Sequence, residues 1–319
     1  MKVFILSICA SISFGGVAQP IDSSLEPEKA FEIGEQLHRQ FKDKQAIKYL
    51  KFSADNGSAS GAYLYGTLRQ PLMSTARKKD ESYSFIKKSA DDGYFPALKW
   101  LYRYDVDSPQ YHDWRHRYYN AIIDMGKSEP EKAFYLLADY YRDSNKDRYE
   151  FYLSEAVKRQ YPRALIEQAQ RLGSGGGGYI VSSLKQERVA NLYLQAAETK
   201  NIPAMRAYID WLESHQNFTN AFHWRIKALH AGDILSLAEL GLMYSQPKLN
   251  YAFIGVDYST SSLLLNKYIN EAGDERFKGL YKKVQIALNH NGKACLNDPI
   301  QCKEPKDEIK RAMDKTFLY

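Results

Sequence analysis

The sequence predicts an all-α solenoid, a stack of about seven helix-turn-helix units, on three observations. The stretch Ala46–Gly66 returns as Ser82–Tyr102 at one fixed offset: Tyr49 matches Phe85, Ala54 matches Ala90, Gly57 matches Gly93, Gly61 matches Ala97 and Tyr65 matches Leu101. Small residues recur at the places where two antiparallel helices would approach, with an aromatic to fill the gap they leave. A glycine falls between the two apolar runs of most units, where a positive φ ends the first helix.

Taken in order, the chain opens with a processing segment at residues 1–18. Met1-Lys2 gives a basic start, Val3 to Phe14 an apolar run, and Gly16-Val17-Ala18 a small-x-small cleavage site before Gln19. The run is too short for a permanent bilayer span. Cys9 follows Ile8 and lies too early to be an acylated lipoprotein cysteine, so the expectation is a cleaved, exported protein, periplasmic in a Gram-negative source and without stable membrane insertion. Residues 19–45 hold a leader and a capping helix opened by Pro27, with Ala30, Ile33, Gly34, Leu37 and Phe41 on its apolar side. Such a helix covers the exposed end of a stack.

The repeat solenoid is expected over 46–285. Unit one starts at Ala46 and unit two at Ser82. Unit three starts near Arg115, with Tyr118, Ile123 and Gly126 in register and a turn lengthened by Lys-Ser-Glu-Pro-Glu-Lys. Unit four carries Tyr152, Ala156, Val157, Ala164 and Ala169, with Gln160 at the turn. Unit five carries Leu192, Ala196, Ala197, Ala204 and Tyr208, with Lys200 at the turn. Unit six carries Ala221, Trp224, Ala228, Gly232, Leu240 and Gly241, and a degenerate unit seven has Leu265, Gly273, Phe277 and Tyr281. Connections at Gln70–Asp80, Asp105–Gln110, Gly173–Lys185 and Ser245–Ser259 are longer and irregular, expected along one edge. Residues 286–319 supply a C-terminal loop and a charged capping helix from Pro305 to Phe317.

Composition limits the function classes. The net charge of +6 is spread along the chain, not gathered into a stripe or tail, which argues against nucleic-acid binding. After loss of Cys9 two cysteines remain, Cys295 and Cys302, flanking a turn-rich hexapeptide. In an oxidising compartment they are expected to form a disulfide.

Enzyme signatures fail one by one. Ser84–Lys87 and Ser182–Lys185 have Ser-x-x-Lys spacing, but no Ser-Asp-Asn or Lys-Thr-Gly element accompanies them. The Gly173–Gly178 run has no following Lys-Ser or Lys-Thr and no preceding strand, so it is not a phosphate-binding loop. His112 and His116 lie one helical turn apart without a third ligand, so no metal and no cofactor are expected. There is no Gly-x-Ser-x-Gly elbow. The chain reads as non-enzymatic.

The pattern Ala46-x-x-Tyr49…Ala54…Gly57…Gly61…Tyr65-Gly66, and again Ala221-x-x-Trp224…Ala228…Gly232…Leu240-Gly241, resembles the Sel-one-like repeats, relatives of the tetratricopeptide repeat. The resemblance covers roughly 46–285. It departs at Gln160 and Lys200, and only units one and six keep the Leu/Tyr-Gly pair. It implies a right-handed superhelix whose inner face binds proteins. Exported members of that family include host-protein binders and immunity proteins that neutralise type VI secretion phospholipase effectors. By that resemblance the expected partner is a toxic lipase-type effector. An envelope or host-protein-binding scaffold, an adhesin or signalling adaptor, is the second reading. The candidate partner-binding residues are Tyr63, Lys99, Arg103, Tyr135, Arg142, Arg206 and Trp211, which fall on the second helices beside the packing positions. Tyr, Trp and Arg are the side chains that carry interface energy.

Overall fold

The computed structural model describes residues 21–70, 81–175, 182–295, 306–314 and 317. The export segment at 1–18, the loop at 71–80, most of the glycine run after Gly173, and Cys302 with the expected Cys295–Cys302 bond lie outside the described residues. Sixteen α-helices are described: α1 (Pro27–Arg39), α2 (Asp43–Asp55), α3 (Ala59–Arg69), α4 (Glu81–Asp91), α5 (Phe95–Tyr104), α6 (Tyr111–Met125), α7 (Pro130–Tyr141), α8 (Lys146–Lys158), α9 (Pro162–Gly173), α10 (Ser182–Glu198), α11 (Ile202–Ser214), α12 (Phe218–His230), α13 (Ile234–Ser245), α14 (Tyr258–Ala272), α15 (Lys278–Cys295) and α16 (Asp307–Ala312). No strand occurs among the described residues.

From α1 to α15 each helix packs on the next in sequence, so the chain is an all-α solenoid of seven hairpins, α2–α3 through α14–α15. The second helices α5, α7, α9 and α11 all carry proline in their first turn, where an N–H has no intrahelical partner to lose. Side-chain caps from Ser58, Asn201 and Asp233 open α3, α11 and α13. The alanines at the repeat positions, among them Ala54, Ala90, Ala156, Ala197 and Ala228, are fully buried.

The turns obey the repeat even where glycine is absent. Gly57, Gly93 and Gly232 have φ of 99°, 80° and 93°, and Gln160 and Lys200 hold φ of 57° and 61°. The left-handed backbone costs a side-chain-bearing residue about 1 kcal/mol, and both side chains are exposed. Gln160→Gly and Lys200→Gly are each expected to stabilise the protein by about 0.5–1 kcal/mol, read as a rise in urea midpoint at unchanged m.

Two serines explain part of the packing that the pattern left unexplained. Ser53 Oγ donates to the Pro27 carbonyl at 2.7 Å and Ser89 Oγ to the Ala59 carbonyl at 2.6 Å. Each sits just before the buried alanine of its first helix and pins it to the start of the helix before it.

Four expectations are corrected. Phe41 lies beyond the end of α1, at φ 60° and 74% exposed, because the chain reverses there. In unit three Ile122, not Ile123, is buried, continuing the four-residue spacing of Trp114 and Tyr118. Gly126 is right-handed, with φ of −61°, because the longer turn closes without a left-handed residue. The C-terminal helix α16 is shorter than the Pro305–Phe317 expected: it folds back against α12, and Ile309, Ala312 and Phe317 join the core around Tyr244, Leu264 and Tyr268. Within Ser245–Ser259 there is also a 3-10 helix, Leu249–Ile254, whose Tyr251 is buried.

The two ends of the stack meet. The Arg276 guanidinium lies 4.8 Å from the centre of the Phe41 ring, and a Cβ on Gly273 would stand 2.7 Å from the Gln40 side-chain amide carbon. The turn between α1 and α2 therefore rests on the connection between α14 and α15.

Candidate functional site

Helices two apart in sequence approach on the side of the second helices, where the capping helix α1 touches α3 and α9 touches α11. In a curved stack the closer side is the inner one, so the second helices form its inner wall. Six of the seven predicted residues fall on them, and the seventh, Arg142, caps one. Tyr63 is on α3, Lys99 and Arg103 on α5, Tyr135 on α7 and Arg142 at its C-cap, and Arg206 and Trp211 on α11.

The fold brings four of the seven into one ladder. Lys99 Nζ lies 3.2 Å from Asp139, and Arg103 Nη2 donates to both Asp139 oxygens at 2.7 and 2.8 Å. Arg142 lies 3.5 Å from the same Asp139 and makes a two-pronged pair with Glu167 on α9, at 2.7 and 2.9 Å. Tyr149 also donates to Glu167, and Tyr135 packs on Tyr161 with ring centres 5.2 Å apart. The side chains of Asp139 and Glu167 are only 11% and 13% exposed. Burial raises the Asp139 carboxyl, but Lys99 and Arg103 outweigh it and the net shift is downward. Glu167 behaves likewise: burial raises it, and the bonds from Arg142 and Tyr149 bring it below its ordinary value. Burial first, then Glu167, pushes the Tyr135 hydroxyl up to about 12. These charges stay ionised at neutral pH and hold the side chains of three hairpins in one geometry.

A second network joins α11, α12 and α13. Arg206 bonds Asp233 at 2.9 Å and Glu239 at 2.9 Å, while the buried Arg225 bonds Glu239 at 2.7 Å and Glu213 at 3.0 Å. Tyr251 reaches back from the 3-10 helix to donate to Glu213. The first ladder sets three cations against two carboxylates; the second sets two arginines against three. The wall therefore runs from mildly positive to mildly negative along the stack.

Trp211 belongs to neither network. It stacks on His215 at 4.2 Å and lies near Tyr193 and Tyr208 at 6.1 and 6.0 Å. Together with Val189 these side chains, except Tyr208, line a cavity of about 470 Å³ between α9, α10 and α11. An open, aromatic-walled cavity of this kind accepts an apolar side chain of a partner. Tyr63 stands apart near the first hairpins, 5.6 Å from the Tyr94 ring.

The carboxylates Asp139, Glu167, Glu213 and Glu239 were not expected in the wall. A signal for one of them existed: Asp139 lies one repeat length beyond Arg103, so opposite charges at the repeat offset on second helices mark a pair. Ser84, from the Ser-x-x-Lys spacing, is exposed and only donates to the Glu81 carbonyl within its own helix. Among the described residues no cluster of three His, Cys, Asp or Glu is placed to hold a metal, and no helix is long and apolar enough to cross a membrane.

The fold and wall define a class, a helical-hairpin solenoid with an ion-pair-locked inner face. No family model matches the sequence, and no curated protein matches it significantly. Among solved structures the chain is similar to a protective antigen present in uropathogenic Escherichia coli strains displaying an SLR fold, at 12% identity and a TM-score of 0.35, over 91% of this chain and 59% of that one. It is also similar to a Sel1 repeat protein from Oxalobacter formigenes, at 19% identity and a TM-score of 0.37, over 77% of each chain. The chain thus spans 59% of the length of the first. The solenoid architecture rests on the hairpin packing itself.

Proposed function

We propose that this protein is a non-enzymatic, protein-binding solenoid that grips its partner along the second-helix wall. The observation that supports this most is the ladder through Asp139 and Glu167. It fixes arginines and tyrosines of successive hairpins before any partner arrives, and side chains already held lose less entropy on binding. The charge sequence along the wall gives a partner one preferred direction, and the cavity beside Trp211 offers an anchor point.

The sharper reading is an exported immunity protein that binds a type VI secretion effector, a phospholipase or lipase, in the periplasm and blocks its active site or membrane access. The export segment expected at residues 1–18 and the resemblance to exported Sel-one-like proteins favour it.

The test is a pull-down of the chain from Gln19 onward against the products of its neighbouring genes, followed by rescue of cells expressing the captured toxin. Capture with rescue supports the immunity reading, and absence of both rejects it in favour of an envelope or host-protein scaffold. With a partner in hand, Trp211→Ala is expected to weaken binding by about 2 kcal/mol, roughly thirtyfold in Kd, and Arg103→Glu to weaken it as well. Unchanged affinity in both variants, with circular dichroism confirming the fold, would remove the wall as the binding surface.

A further inference from the structure

A second cavity lies where the start of α6 meets the end of α7 and the start of α8. It measures about 360 Å³. Helix α6 turns one face toward it, His112, Arg115, His116 and Tyr119, at the spacing that stacks side chains on one side of a helix. Helix α7 adds the buried Tyr140 and Tyr141, and α8 adds Arg148.

The two arginines here differ from those of the ladders. Arg115 Nε donates to the Tyr140 hydroxyl at 2.8 Å, and its guanidinium lies 5.4 Å from the centre of that ring. Arg148 Nη1 donates to the Tyr141 hydroxyl at 2.8 Å, with its guanidinium 5.0 Å from that ring. Among the described residues neither has a carboxylate partner, and no carboxylate lines the cavity. Asp113, the acidic residue nearest in sequence to His112, is 3.8 Å from Arg117 instead. Arg103, Arg142 and Arg225 are all neutralised by acids, whereas this pocket keeps two permanent positive charges.

A guanidinium carries five N–H donors, and each of these is held by one neutral hydroxyl, so most of its donors stay available. The tyrosines fix the planes of the guanidinium groups without cancelling their charge. Two fixed cations call for a dianion, and forked donors suit phosphate oxygens. A carboxylate would match only one of the charges. The rings of Tyr119, Tyr140 and Tyr141 supply an aromatic wall that a bare inorganic anion would leave unused.

We propose that this cavity is a binding site for an organic phosphate monoester, its phosphate held by Arg115 and Arg148 and its organic group set against the tyrosines. The site shares α7 with the second-helix wall but none of the residues of its two charge networks, and it does not depend on the partner proposed for that wall.

Isothermal titration of the described fold, as the full chain from Gln19, tests this with phenyl phosphate, inorganic phosphate and benzoate at neutral pH and low salt. Phenyl phosphate is expected to bind most tightly. Arg148→Gln, at an exposed position on α8, is expected to weaken it about tenfold or more, and Arg115→Gln likewise. Arg115→Lys, which keeps the charge and loses the fork, should fall between. Lys127→Gln, at an exposed position outside the cavity, should bind as the parent does. Since Arg115 also orients Tyr140, the thermal midpoint of each variant is measured alongside, and Arg148→Gln decides the matter if Arg115→Gln unfolds. The proposal is overturned if phenyl phosphate does not bind, if Arg148→Gln binds it undiminished, or if inorganic phosphate or benzoate binds as tightly.

Discussion

Arg225→Met is expected to destabilise the protein by about 3 kcal/mol, the lower end of the cost of orphaning buried charges. Arg225 is 6% exposed and is the shared partner of Glu213 and Glu239, so its removal leaves two carboxylates facing each other between α11, α12 and α13. Both acids are about one-third exposed, at 31% and 36%, and that access to water keeps the cost from running higher. Arg206 and Tyr251 remain to hold part of the charge. Urea unfolding followed through tryptophan fluorescence measures the loss, with Trp211 and Trp224 on α11 and α12 reporting on this region and Trp100 and Trp114 reporting on α5 and α6. Adding Glu213→Gln and Glu239→Gln to Arg225→Met should recover much of the stability, since neutral amides at those positions no longer repel. A loss below about 1 kcal/mol for Arg225→Met, the scale of an exposed ion pair, would mean that the network does not hold these hairpins together.

Gly66→Leu is expected to cost 3 kcal/mol or more, as overpacking against an immovable neighbour. A Cβ at Gly66 would lie 2.5 Å from Ile86 Cγ1 and 2.7 Å from the Ser82 carbonyl oxygen. The isoleucine can rotate, but the carbonyl is backbone of α4 and cannot. Even Gly66→Ala should destabilise by about 1–2 kcal/mol, although alanine is intrinsically the better helix former by about 1 kcal/mol. Gly279→Ala is the control: nothing lies within 4 Å of its Cβ position, so only the helix propensity acts and stability should rise. A neutral or stabilising Gly66→Ala would show that the first two hairpins are not in close contact at α3 and α4. Gly241 repeats the arrangement in the sixth hairpin, where a Cβ would stand 2.8 Å from Leu265 of the next unit. The glycine that ends the repeat motif is thus the point where the following hairpin crosses.

The repeat period, the buried alanines, the turn positions and the placement of six candidate residues on second helices, with Arg142 capping one, were legible in the sequence. They depend on local conformation and on contacts between neighbours in a fixed pattern. Steric and backbone rules act within one or two turns, so a recurring string such as Ala54…Gly57…Gly61 specifies its own hairpin, and Gln160 and Lys200 adopt the left-handed turn because the hairpin around them requires it. Tertiary structure decided what the candidate side chains touch. Arg142 meets Glu167 and Arg206 meets Asp233 and Glu239 across spacings that differ from one pair to the next, because irregular connections shift the register between hairpins. The same holds for the unneutralised pair Arg115 and Arg148, which belong to different repeat units and share a cavity only after α6, α7 and α8 have packed. The meeting of Phe41 with Arg276 is further still from the local rules. It is set by the sum of small rotations from one hairpin to the next, and a sum over seven units depends on every packing angle along the chain.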